Sequence, residues 1–586
     1  MKSIIKFRTN SLLPSIRSIN STYCRFHQTS TTTTSSEQEL KPTKNVQTSK
    51  TKKQKPSPIV FSNRSKGPSL NDFLLSQATP SNAQAIHPPY LNLDIQTPKN
   101  YFVEVYGCQM NVNDTEILMS VMNSAGYKRT HNIEEAHVVF LVTCSIRENA
   151  ESRIWHRLYD LKKMKIKDAF QTGKPPVVGI KGKLLEKDKL VDLVCGPDAY
   201  RSIPHLLHLS YNSEQNQGVA NVILSADETY ADIVPMRINP DAQSVFLSIM
   251  RGCNNMCSYC IVPFTRGIER SRPIESILDE VRRLSDQGIK EITLLGQNVN
   301  SYRDTSSESI YMTQGEKLAE GFNTIYKAKT GGIKFTELMD RVSLINPDIR
   351  IRFTSPHPKD FPDDLIHLIK ERPNLCNTIH MPAQSGNTEV LDRMRRGYSR
   401  EAYIALVDKI KSIIPNVSLS SDFIVGFCGE TEAEHQDTVS LMEYVGYDMA
   451  YMFAYSMREK THAHRKFQDD VSDGDKKRRL QDIIKVFHTR GFETLGKMVG
   501  TYQLLLIENI ITHPNQLEKG RVFSGRTDGN HKAFVMMDPI LKQQSPHLYN
   551  IKAGDYVVVK INKASSTSVS GTPVEFCSVS EFAKKY

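Results

Sequence analysis

The chain has 586 residues, 24% of them charged, and a formal net charge of +11 at pH 7, which is length for roughly three to four domains with separate cores. It has no run of eighteen apolar residues, which argues against a membrane-spanning helix. The charge excess is confined to residues 1–66, with 13 Lys or Arg against 2 acids, so any nucleic-acid binding must come from local patches and not from the overall field.

Residues 1–36 carry Lys2, Lys6, Arg8, Arg17 and Arg25 among many Ser and Thr, with apolar residues between them and no acid. This resembles a mitochondrial transit peptide, with a disordered basic tail as the other reading. Residues 37–97, rich in Lys, Pro, Ser, Thr and Gln, read as an unstructured linker. Ten cysteines are scattered through a chain with no secretory leader, a usage that suits metal ligation better than disulfides. Cys376, Cys428 and Cys577 read as small buried apolar residues.

Residues 98–215 alternate strand and helix signals. Strands are expected at Tyr101 to Tyr106 and Val138 to Thr143, with a helix from Asp114 to Gly126 between them. Both strands run into cysteine, Cys108 and Cys144. In an open parallel sheet the carboxyl ends of strands form the binding edge, so the two would converge there. The next strands are Val177 to Ile180 and Val191 to Val194, leaving a connection at or below the roughly 10 to 12 residues that a parallel crossover needs.

Residues 240–490 repeat strand then helix about six times, with strands at Val245 to Met250, Glu291 to Leu295, Arg350 to Thr354, Thr378 to Met381, Leu419 to Ile424 and Met449 to Ala454. Ile274, Ile277, Leu278, Val281 and Leu284 mark a helical stripe closed by Gly288. This is the pattern of a partial (β/α)6 barrel with its site at the carboxyl ends of the strands. The insertion from Arg303 to Gly332 lacks periodicity and reads as a loop or partly ordered hairpin. Residues 497–565 turn all-β, with short strands from Tyr502, Arg521, Ala533 and Tyr556, as in a small barrel of the oligonucleotide-binding kind. The fold class is therefore α/β: an open parallel sheet domain, a partial barrel, and a small all-β domain.

The loop after the first barrel strand reads Cys253-Asn254-Asn255-Met256-Cys257-Ser258-Tyr259-Cys260. Three thiolates on one loop can hold three irons of a four-iron cluster and leave the fourth open; a structural zinc site completed by a distant residue is the bland alternative. Gly296, Gln297 and Asn298 follow the second strand, Gln384 and Ser385 the fourth, and Asp422 and Gly426 the fifth. Such amides, hydroxyls and glycines can bind a nucleoside cofactor, though each could also be an ordinary turn.

These segments, with Arg352 to Pro358, Arg395 to Tyr398 and Tyr455 to Arg458, resemble the MiaB-type tRNA methylthiotransferases, radical S-adenosylmethionine enzymes. Within them they are similar to the eukaryotic mitochondrial branch named for association with a regulatory subunit of a cyclin-dependent kinase. The resemblance implies two [4Fe-4S] clusters and S-adenosyl-L-methionine. It assigns Cys253, Cys257 and Cys260 to the catalytic cluster, and Cys108 and Cys144 to an auxiliary one. The activity it implies is 2-methylthiolation of N6-isopentenyladenosine at tRNA position 37. It also implies mitochondrial location, a tRNA anticodon stem-loop as partner, and a TRAM domain in the all-β region. Arg266, Arg270, Arg272, Arg395 and Arg396 are expected to meet RNA phosphates, with ordinary surface ion pairs as the alternative. His380 and Tyr398 are candidates to stack on the base, or core residues.

The third auxiliary cysteine of the family is not found where it is expected; the chain reads Lys181-Gly182-Lys183-Leu184 there. Either about eight residues are missing through a gene-model or splice error, or Cys195 takes the role. Competing functions are methylthiolation of threonylcarbamoyl-adenosine and a non-enzymatic RNA- or protein-binding adaptor that has lost its auxiliary cluster.

Overall fold

The computed structural model describes residues 99–143, 148–172, 177–180, 190–212, 218–306, 321–322, 331–511, 522–536 and 550–586. The chain divides into two units, 1–92 and 93–586. The expected leader and most of the linker fall in the first, which lies outside the described residues, as do Cys144 and the 181–184 turn.

The first domain holds strands β1 (Asn100–Val105), β2 (Lys128–Arg129), β3 (Val138–Val142), β4 (Val177–Ile180), β5 (Leu193–Cys195) and β6 (Val219–Asn221), and helices α1 (Gln109–Ser124), α2 (Glu148–Thr172) and α3 (Ile203–Asn212). The strands form one parallel sheet in the order β2-β1-β3-β4-β5-β6. All five residues of β3 are buried because both faces are covered. Val138 and Phe140 pack in a core with Ile117, Met119 and Leu207, while Val139 and Leu141 pack with Ile154, Leu158 and Leu161. β6 carries the domain past the expected boundary at residue 215.

The second domain contributes β7 (Ser244–Ser248), β8 (Met250–Arg251), α4 (Val262–Arg266), β9 (Arg270–Ser271), α5 (Ile274–Asp286), β10 (Glu291–Leu295), β11 (Arg303–Asp304), β12 (Ile333–Lys334), α6 (Phe335–Ile345), β13 (Arg350–Phe353) and α7 (Asp363–Glu371). It continues with β14 (Thr378–His380), α8 (Thr388–Arg393), α9 (Arg400–Ile413), β15 (Ser418–Val425), α10 (Glu432–Val445), β16 (Met449–Ala454), α11 (His462–Lys466) and α12 (Asp473–Gly496). β7, β10 and β13 pair in parallel, as do β14, β15 and β16. A parallel bridge between Ile351 and Leu375 links the two groups.

Alternation along these strands sets two faces. Leu247, Ile292, Leu294 and Ile351 point to the helices and join one core with Ile277, Val281, Leu338 and Val342, each such side chain contributing about 1.5–3 kcal/mol on burial. β7 is an edge strand, and α1 covers it: Asn113 Nδ2 donates to Phe246 O at 3.3 Å. The ends of the 303–332 insertion do pair, β11 with β12.

The third domain is a closed five-stranded barrel in the order β17-β18-β19-β21-β20, from β17 (Tyr502–Ile511), β18 (Val522–Arg526), β19 (Lys532–Met536), β20 (Tyr556–Ala564) and β21 (Ser568–Phe576). The closing strand β21 lies past the expected boundary at residue 565. It reads Ser-Val-Ser-Gly-Thr-Pro-Val-Glu-Phe, whose Gly and Pro hide a strand from propensity; Pro573 sits beside a register shift in the β20 pairing. This barrel docks on the amino-terminal ends of the larger domain's strands. Arg350 donates to Leu504 O at 2.5 Å and Arg526 O at 3.1 Å, and Arg352 to Asp528 O at 2.6 Å and Thr527 O at 2.8 Å.

Candidate active site

β8 and β9 pair in antiparallel fashion and close the segment 252–269 into a tight excursion. Gly252 has φ +71, and a Cβ there would lie 1.9 Å from Ile268 O, so only glycine fits. Cys253 N then donates to Gly267 O at 3.2 Å, and Cys260 N to Cys257 O at 3.1 Å.

Cys253 and Cys257 are buried and Cys260 partly so. Burial pushes the Cys253 thiol up, with Cys257 adding to the effect. Burial also pushes the Cys260 thiol up to about 12, again with Cys257 adding and Arg396 opposing. Two thiols held protonated by burial, with a third sulfur between them, suit a cationic cluster that would replace their protons. Among the described residues no three His, Cys, Asp or Glu converge on a single-ion site; a four-iron cluster asks instead for one thiolate at each of three corners.

The loop is held from the side. Ser258 N donates to Met394 O at 2.9 Å and Ser258 Oγ to Arg393 O at 2.7 Å, while Ala463 N donates to Ser258 O at 2.7 Å. Arg396 is buried and reaches Cys257 Sγ at 3.4 Å, Pro382 O at 3.0 Å and Tyr398 OH at 3.0 Å.

This corrects the expected RNA contacts. Arg266, Arg270, Arg272 and Arg396 are buried, and protein partners occupy them: Asp114 and Asn111 for Arg266, Asp198 for Arg270, Glu280 and Ser276 for Arg272. Phosphates cannot displace such pairs without leaving carboxylates buried and unpaired. Arg395 alone of the five is exposed.

The expected cofactor residues divide into two groups. A Cβ on Gly296 would meet Met250 Cγ at 2.6 Å, so the second strand's end packs directly under the cluster loop. Gln297 Oε1 is buried without a hydrogen-bond partner, an acceptor open to a ligand donor. Gln384 takes φ +70 and its backbone bonds to Asp422 O and Ile424 N, each at 2.9 Å, which extends β14 beside β15. Gly426 N donates to Glu430 Oε2 at 2.5 Å, and a Cβ there would meet Lys476 Cγ at 2.4 Å. Asn298 and Ser385 are structural: the Asn298 amide donates to Asp360 and accepts from His357 N, and Ser385 is 1% exposed against Thr438.

One face of β14, β15 and β16 stays open. His380 Nδ1 lies 2.9 Å from Ser420 Oγ and its Nε2 3.5 Å from Asp422 Oδ2. Beside them stand Tyr451, 47% exposed, and Phe453, 38% exposed, two residues apart on β16. His380 is thus on the open face, whereas Tyr398 is core: its hydroxyl bonds to Pro382 O and Ala383 O. The described cavity of about 710 Å³ is elsewhere, at the carboxyl end of α1 among Asn123, Tyr127 and Met236, the opposite end of that helix from Cys108.

The comparisons bear directly on this arrangement. A family model described as the radical SAM superfamily matches residues 247–442, and one described as uncharacterized protein family UPF0004 matches residues 100–196. The mouse protein named mitochondrial tRNA methylthiotransferase CDK5RAP1 is 51% identical over 528 residues, 87% of this chain and 88% of its own length. The chain belongs to the CDK5RAP1 family of radical SAM tRNA methylthiotransferases. The human member is 48% identical over 87% of this chain and 88% of its own. A protein of Chloroherpeton thalassium named tRNA-2-methylthio-N(6)-dimethylallyladenosine synthase is 44% identical over 80% and 95%. A solved radical S-adenosylmethionine methyltransferase, TsrM of Kitasatospora setae, overlays with a TM-score of 0.36 at 13% identity over 63% of this chain and 74% of that one, too little to carry an argument.

Sequence reading missed the residues that join the two parts of this family member. Cys108 caps α1 without a side-chain cap bond. Six residues on, Asp114 is fully buried and takes Arg251 at 2.8 Å and Arg266 at 3.0 Å. Arg251 also stacks over Tyr230 at 4.8 Å. The signal was available in Arg251, which directly precedes Gly252-Cys253. Cys195, the alternative ligand, lies in the core with Tyr200 and Tyr230, its thiol donating to Gly196 O at 3.4 Å. Cys376 and Cys428 are buried as expected, but Cys577 is only partly so.

Proposed function

We propose that this chain is a mitochondrial radical SAM methylthiotransferase that converts N6-isopentenyladenosine at position 37 of tRNA to its 2-methylthio derivative. The observation that carries this reading is relatedness over 80–87% of this chain to proteins named as tRNA methylthiotransferases, joined to an intact three-cysteine loop at the strand ends.

Cys253, Cys257 and Cys260 would hold a [4Fe-4S] cluster with one iron left for S-adenosyl-L-methionine; Cys108, with Cys144, would hold part of the auxiliary cluster. When bound, the first cluster supplies the electron that cleaves the sulfonium, a route to C–H bonds that acid-base catalysis cannot open. The chain's own residues do the rest. Gln297 Oε1 accepts a cofactor donor, while Gly296 and Gly426 let Met250 and Lys476 pack closely against the strand ends that carry it. Tyr451 and Phe453 stack a base splayed from the anticodon loop, and His380 with Asp422 contributes polar contacts.

The bounds we assign are a leader at 1–36, a linker at 37–97, an auxiliary-cluster domain from 98 through β6, a partial (β/α)6 barrel through α12, and a TRAM-type RNA-binding module from 497 through β21. Five closed strands and 11 Lys or Arg against 7 acids from Lys497 onward support the last.

Nucleoside mass spectrometry of mitochondrial tRNA from a deletion strain tests the reading. Loss of 2-methylthio-isopentenyladenosine, restored by the gene, is the expected result. Loss of the threonylcarbamoyl derivative alone would reject it, as would no change at all.

A further inference from the structure

We propose that Arg395, Arg465 and Lys466 form a phosphate-binding surface beside the cluster loop, which docks the backbone of the tRNA anticodon stem-loop. The inference rests on the tRNA reading above and supplies the contacts that the buried arginines cannot.

The dipeptide Arg395-Arg396 splits. Arg396 turns inward to Cys257, whereas Arg395, at φ +58, is the left-handed residue that ends α8, with Arg395 N donating to Asp392 O and Arg396 N to Leu391 O, each at 2.9 Å. That turn leaves the Arg395 side chain exposed. Arg395 Nη2 lies 2.7 Å from His462 Nε2, at the start of α11. Arg465 and Lys466, both exposed, end the same helix.

The positive charge is only lightly opposed. Among the described residues, none of the three cations pairs with a carboxylate; Asp392 and Glu459 are exposed near them in sequence, and three further acids are engaged elsewhere. Glu434 binds Arg393, Asp469 binds Lys476, and Asp470 accepts from Gly429 N. Glu459 is the one acid from 458 to 466. Partial burial and the charges of Arg395, Arg465 and Lys466 all hold the His462 imidazole below its ordinary value, the signature of like charges brought together.

Placement completes the argument. Ser258, between the second and third cluster cysteines, is bonded on one side to the residue before Arg395 and on the other to the residue after His462. A phosphate held there lies beside the loop that carries the three thiols. A nucleic-acid backbone is the partner that offers repeated negative charge at such a rim, and its binding is salt-dependent.

The test uses the full chain with its iron centres reconstituted and an anticodon stem-loop carrying isopentenyladenosine, with affinity measured across salt concentration. Arg395→Gly keeps the backbone conformation and removes the charge; Arg465→Gln/Lys466→Gln removes the other two. Each lost contact is expected to reduce the slope of log affinity against log salt by roughly 1. Iron content equal to that of the unmodified protein separates this from misfolding. If Arg395→Gly loses iron, the double variant, outside the Cys257 contacts, decides. Unchanged affinity and slope in the double variant, with tRNA still modified by the unmodified protein, would overturn the surface and leave the enzyme reading standing. Failure of the unmodified protein to modify any tRNA would overturn both.

Discussion

Arg251 Nη1 donates to Asp114 Oδ1 at 2.8 Å across the boundary between the sheet domain and the larger barrel, with both side chains 3% exposed or less. Arg266 takes the other carboxylate oxygen at 3.0 Å. Asp114→Asn leaves the buried Arg266 without a counter-charge and Arg251 with only Glu228, 3.8 Å away, a change expected to cost about 3–5 kcal/mol. Anaerobic denaturant titration checks it; an unchanged midpoint would show that the interface does not depend on this carboxylate.

Cys257→Ala and Cys376→Ala remove the same thiol from two buried positions with different surroundings. The first is expected to lose about four irons per chain, one cluster's worth, and with them cleavage of S-adenosylmethionine. The second, in a fully buried core position, is expected to keep its iron. Equal iron in both variants would break the assignment of the 253–260 loop.

Glu116 gives a pH dependence of defined sign. Burial raises its pKa from 4.5 to about 7, with Ile238 N opposing, Glu280 reinforcing and Arg237 opposing. A carboxyl with a raised pKa binds its proton more tightly folded than unfolded. It therefore destabilises the fold increasingly as pH rises from 4.5 through 7, and contributes no penalty below that window. Glu116→Gln is expected to raise stability at pH 8 by up to roughly 3 kcal/mol and to change nothing at pH 4.5. Denaturation midpoints of both proteins across this range decide it.

Tyr451→Ala and Phe453→Ala test the open face of the last strand. Stacking of a base on an aromatic ring is worth about 1–3 kcal/mol, so each is expected to raise KM for tRNA roughly 5- to 150-fold. Cleavage of S-adenosylmethionine without RNA separates loss of the base from loss of the cluster. A KM for tRNA equal to that of the unmodified protein in both variants would remove these rings from the site.

Much of the architecture was legible because its signals are local. The stripe from Ile274 to Leu284 closed by Gly288 predicts a helix, and α5 runs Ile274–Asp286 with Gly288 just beyond it at φ +78. Val177 to Ile180 was read as a strand and is one. The helix expected at Asp114 begins five residues earlier, at Gln109, because its first turn is polar yet buried. Asn111, Asn113 and Asp114 are 0–1% exposed, since the second domain packs over them, and no window of sequence contains that neighbour. The arginines failed for the same reason. Arg266, Arg270 and Arg272 look like a surface stripe until Asp114, Asp198 and Glu280 are brought beside them from elsewhere in the chain. Arg395 and Arg396 are adjacent and chemically identical, and only the positive φ of the first separates an outward cation from an inward one.

The ionic clasp around Asp114 also limits how the molecule can move. Parting the sheet domain from the barrel would expose two guanidinium groups, a carboxylate and the α1-to-β7 hydrogen bond at once, so no low-energy hinge exists along that seam. Cys108, at the head of α1, and the 253–260 loop, entered through Arg251, are thereby tethered to each other by one buried carboxylate.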